Sequence, residues 1–110
     1  MLQTRLVQFA TEVFQSSVPL MTNKFLEPAV KKLVIASSHV GASNTEIVND
    51  EPDDFFYINL QSVIIDLQET QYWMQTILNV QPDSELAELE KETKELLRIT
   101  NAMRCEAIAV

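Results

Sequence analysis

Asp66 and Glu69 lie three residues apart, a spacing that puts two carboxylates on one face of a helix. Paired carboxylates do acid–base work only where a pocket separates their pKa values, and no neighbouring residue type here is committed to such a pocket, so both read as solvated acids. A di-metal carboxylate bundle needs Glu-x-x-His pairs on two helices, and the chain has one histidine, His39. His39 stands beside small residues and reads as a packed or edge histidine. Cys105 is the sole cysteine and has no activating base near it in sequence; it excludes an internal disulfide and fits a reducing compartment. No glycine-rich phosphate loop and no CxxC pair is present. The expectation is a protein that is not an enzyme, with no catalytic residues, metal ligands or cofactor.

The elements that carry these residues are helical. The 110 residues include only one Gly and four Pro, and 46% are hydrophobic, which suits one α-helical domain with one core and argues against a turn-rich β fold. Leu2, Leu6, Phe9, Val13 and Phe14 predict a first helix over residues 2–18, ending before Pro19. Thr22 or Asn23 can cap a second helix that tolerates Pro28 in its first turn. This helix runs over 24–47 on Leu26, Val30, Leu33, Ser37, Val40, Asn44 and Ile47. The third, over 54–80, follows the turn formers and acids of 49–54. The fourth, over 84–107, starts at Asp83 or Ser84 and packs through Leu86, Leu89, Thr93, Leu96, Thr100 and Met103. Residues 1–110 thus predict a single all-α domain, an antiparallel up-down-up-down four-helix bundle.

The third helix carries two apolar stripes. Phe56, Leu60, Val63, Leu67, Thr70, Met74 and Ile77 step by four and three and form the core seam. Ile58, Ile65 and Tyr72 repeat every seven residues and sit roughly 160–200° from Phe56 on the helical wheel, so they cannot share that core. Ile35 on the second helix lies about 200° from Leu33 and also points outward, which suggests one joint patch across the two helices. An oligomer interface of Ile35, Ile58, Ile65, Tyr72 and Trp73 is therefore expected. Trp73 and Tyr72 suit interface anchors, and a half-buried tryptophan at a bundle edge is the other reading of Trp73. Gly41, with Ala36, Ser37 and Ala42, marks a close helix crossing, because a mid-helix glycine costs about 1 kcal/mol unless tight packing requires it.

The formal charge of −8 is unevenly placed. Residues 1–50 balance, while from Glu51 onward twelve acids face Lys91, Lys94, Arg98 and Arg104. No Lys or Arg lies between Lys32 and Lys91, which disfavours phosphate backbones and anionic membranes. The charged residues of the fourth helix, which include Glu90 and Lys94 at i,i+4, read as a solvated face. The N-terminal segment lacks the continuous apolar run of a signal peptide, and no run is long enough to span a bilayer, so the expected location is cytoplasmic.

The third-helix stretch FYINLQSVIIDLQETQYWM resembles a bacterial four-helix bundle family associated with 23S ribosomal RNA intervening sequences, whose members read approximately FIHKLSIALKEARETRYWL. Phe56, Leu60, Glu69, Thr70, Tyr72 and Trp73 match, and Asp66 replaces a glutamate. Ser37 to Ser43, SSHVGAS, is similar to the family's SGTSVGAN. The resemblance spans nearly the whole chain. It implies a bundle that assembles into a homo-oligomeric ring, a pentamer, with no established enzymatic activity. Related accessory proteins of diversity-generating retroelements bind nucleic acid through basic surfaces. Here the family's arginine falls on Ile35, its lysines on Asn59 and Ile65, its histidine on Ile58 and its asparagine on Ser43. Those departures favour a scaffold or interaction protein, with a possible protein partner for its acidic face. The alternative is a nucleic-acid-binding accessory protein linked to ribosomal RNA or a retroelement, using Lys31, Lys32, Lys91, Lys94, Arg98 and Arg104.

Overall fold

The computed structural model describes residues 2–43, 54–82 and 84–108, and among them the chain is helical throughout, without a strand. Helix α1 spans Leu2–Ser17, α2 Glu27–Ser43, α3 Asp54–Val80 and α4 Leu86–Ile108. The four pack as an antiparallel bundle in which each helix lies against its neighbours in sequence and α4 returns to α1. The molecule measures 47 × 20 × 20 Å. Its long dimension is set by α3, whose 27 residues extend about 40 Å at 1.5 Å per residue.

The apolar periodicity explains which faces turn inward. Leu6, Phe9 and Val13 of α1, Leu26, Val30, Leu33 and Val40 around α2, Leu60, Val63, Leu67, Met74 and Ile77 of α3, and Leu86, Leu89 and Leu96 of α4 form one buried cluster. Three buried threonines interrupt the apolar layers without leaving unmet donors. Thr70, Thr93 and Thr100 donate to the carbonyl oxygens of Asp66, Leu89 and Leu96 at 2.7–2.8 Å. Such local bonds let threonine enter a core at little desolvation cost.

Several expectations are corrected in detail. Phe14, placed on the inward stripe of α1, is 57% exposed, because it lies about 80° round the helix from Leu6. Ile64, omitted from the α3 seam, is buried, so the inward face of that helix is wider than a strict heptad. After α1 the chain does not leave helical geometry at Pro19. A 3₁₀ turn, Val18–Thr22, takes the proline in its first positions, where no amide donor is needed, and carries Leu20 into the core. The entry to α2 uses Asn23, whose Oδ1 accepts the Phe25 N–H at 3.0 Å and whose carbonyl accepts from Leu26 and Glu27. Ser84 does not cap α4: its buried hydroxyl has no hydrogen-bond partner. Asn44, Ile47 and Asp83 lie outside the described residues, as do the side chains of Ser43 and Phe56.

Candidate functional site

The charged side chains settle first what the surface can do chemically. Arg5 of α1 donates from Nε and Nη2 to the two carboxylate oxygens of Glu92 on α4, at 2.8 and 2.7 Å. This two-point contact raises the already high pKa of Arg5. The charged face of α4 is thus in part a clasp onto α1, which its local sequence did not disclose. Lys31 pairs with Glu27 at 2.9 Å, Lys91 with Glu88 at 3.2 Å, Lys94 with Glu90 at 3.6 Å and Arg98 with Glu95 at 2.6 Å. Five of the described cations therefore already face a carboxylate.

Asp66 and Glu69 sit in different surroundings. Partial burial pushes the Asp66 carboxyl above its ordinary pKa, the charge of His39 across the α2–α3 seam opposes that rise, and Glu69 adds to it. Glu69 itself is exposed. His39 is also exposed, at an edge rather than in a pocket. Cys105 is exposed. Among the described residues no group of three or more His, Cys, Asp or Glu could hold a metal ion. No described helix is long and apolar enough to cross a membrane.

The informative surfaces are apolar. Ile58, Ile65 and Tyr72 are 61%, 59% and 59% exposed, on the side of α3 opposite its core seam. Trp73 behaves differently from its neighbour. It is half-buried and packs against the core, its ring edge-on to Tyr72 with centroids 4.9 Å apart, and its indole N–H is buried without an acceptor. Most of the Trp73 ring therefore belongs to the bundle.

Ile35, 53% exposed, lies in another setting. It lines a groove of about 420 Å³ between α1 and α2 with Val34, Phe14, Val18 and Met21. Lys31 is the one charged residue of the lining, and the Ser17 hydroxyl is already spent on the Val13 carbonyl at 2.7 Å. The lining of this groove takes in Ile35 and none of Ile58, Ile65 and Tyr72, with which Ile35 was expected to form a joint patch. The groove could not be read from the sequence, because it needs Phe14 and Val18 brought beside a helix that starts nine residues later.

Gly41 faces α1. A Cβ placed on it would stand 3.0 Å from the Cβ of Ala10, tighter than ordinary van der Waals contact. Ala36 and Ser37 are buried, and Ala42 is exposed.

No protein-family model matches the chain, and no curated protein matches it in sequence. Among solved structures, it is similar to a protein of unknown function from the S23 ribosomal protein family of Bacteroides thetaiotaomicron. The superposition has a TM-score of 0.82, with 94% of this chain and 98% of that one covered at 13% sequence identity. The two share a fold. At that identity the likeness concerns backbone architecture, and it agrees with the four-helix arrangement described above.

Proposed function

We propose that this protein is a non-enzymatic scaffold that works by assembling with copies of itself, through the apolar surfaces its own core leaves outside. The observation that carries the reading is the α3 stripe. Ile58, Ile65 and Tyr72 remain about three-fifths exposed although the bundle interior is already filled without them. Isolated exposed apolar residues are ordinary on protein surfaces, but three at heptad spacing along one helix form a seam.

Magnitudes indicate that the stripe does not act alone. Burying the exposed part of three such side chains contributes about 1–2 kcal/mol each, while association costs about 4–15 kcal/mol in lost freedom of motion. A second apolar surface is required, and the α1–α2 groove supplies one. A closed ring, of five copies as the sequence resemblance implies, meets that need because every subunit uses both surfaces. Nucleic-acid binding is the less favoured reading: most cations are paired with carboxylates and the chain carries a charge of −8.

Sedimentation velocity on the purified chain at micromolar concentration tests the proposal. The expected result is a species of several 12.5 kDa subunits. A clean monomer would overturn it.

A further inference from the structure

The two apolar surfaces differ in more than position. Residues 2–43, which build the groove side, carry Arg5, Lys24, Lys31 and Lys32 against Glu12 and Glu27, a net charge of +2. Helix α3 carries Asp54, Asp66 and Glu69 with no cation, a net charge of −3. A stripe meeting a second stripe would set like charges face to face, which disfavours that pairing. A groove meeting a groove would oppose one Lys31 to another. Only the mixed pairing is complementary.

We infer that the occupant of the α1–α2 groove is the α3 stripe of a second copy of this chain. Ile65 and Tyr72 enter between Phe14, Val18 and Ile35, and Glu69 is set against Lys31. This rests on the self-assembly proposed above and specifies which face meets which. Ile65, Glu69 and Tyr72 lie within about two turns of one helix, so an acid stands between the two apolar side chains. Glu69 makes no ion pair among the described residues, and the exposed Lys31–Glu27 contact is of the weak kind that a partner's carboxylate can displace. The groove holds no set of converging polar groups that would orient a small molecule, which favours an apolar side chain as its occupant. Because the two surfaces are built from different residues, the contact is head-to-tail, the kind that generates rings when the rotation closes.

The experiment uses two full-length variants, Ile35→Lys in the groove and Ile65→Lys in the stripe. Both positions are exposed, so circular dichroism and thermal melts should match the unmodified chain. Each variant alone should sediment as a monomer. An equal mixture at high micromolar concentration should form a 1:1 complex of two 12.5 kDa chains, because the intact groove of one accepts the intact stripe of the other. As an independent readout, Lys31→Glu and Glu69→Lys should each weaken assembly about tenfold or more, and the double variant should recover most of that loss. If the unmodified chain assembles but either lysine variant keeps its full mass, or the mixture stays monomeric, or the charge swap recovers nothing, the pairing is wrong and self-assembly stands. If the unmodified chain is itself monomeric, the proposed function fails first.

Discussion

At Asp66 burial and neighbouring charge compete. It interacts with His39 and Glu69, and its raised pKa comes first from burial, partly offset by His39. An acid whose folded pKa lies above its unfolded value destabilises the fold while it is charged. Its protonation restores stability as pH falls through the folded pKa toward the unfolded one. Asp66→Asn should therefore stabilise the protein at neutral pH. That advantage should shrink as the solution is acidified through the carboxyl range, which paired chemical denaturation series at several pH values would check. A destabilising effect at neutral pH would mean that the attraction to His39 outweighs the burial cost.

Between elements, the closest approach is that of α1 and α2 at Ala10 and Gly41. Alanine is the better helix former by about 1 kcal/mol, so helix propensity alone favours Gly41→Ala. The structure predicts the reverse sign. The added Cβ would stand 3.0 Å from another Cβ fixed directly to the backbone, so the helices themselves must part. Overpacking of this kind costs about 1–3 kcal/mol, giving a net loss of up to about 2 kcal/mol. A thermal melt would measure that loss, and adding Ala10→Gly should recover part of it by returning the space. The Arg5–Glu92 clasp joins α1 to α4 with better geometry than an ordinary surface pair. It remains partly solvated, which confines its contribution to about 1 kcal/mol or less.

For the whole molecule, the distribution of charge decides which partners are compatible. The acids from Glu51 onward make the second half of the chain strongly acidic, and the described cations are mostly engaged by carboxylates of their own chain. Electrostatic binding to RNA is strongest at low salt, so a salt titration with a structured RNA should show no binding even at the lowest ionic strength. Tight binding there that weakens steeply with salt would restore the nucleic-acid reading.

The helices were legible because the pattern that makes them is local. Leu60, Val63, Leu67, Thr70, Met74 and Ile77 declare the inward face of α3 by spacing alone, and α3 runs Asp54–Val80 as that spacing requires. The outward position of Ile35, Ile58, Ile65 and Tyr72 followed from the same arithmetic, since a residue half a turn from a core seam has nowhere inside to go. Helical periodicity describes one helix at a time, however, and is silent about which side of a neighbour each flank will meet. The Phe14–Ile35 groove, the Arg5–Glu92 clasp and the contact of Ala10 with Gly41 join residues many turns apart in sequence. Thus the sequence by itself determined that apolar surface must be left over, and the tertiary structure alone decided that Ile35 borders a groove with Phe14 and Val18. The physical reason is that the rotation of each packed helix about its axis is set by contact with its neighbours.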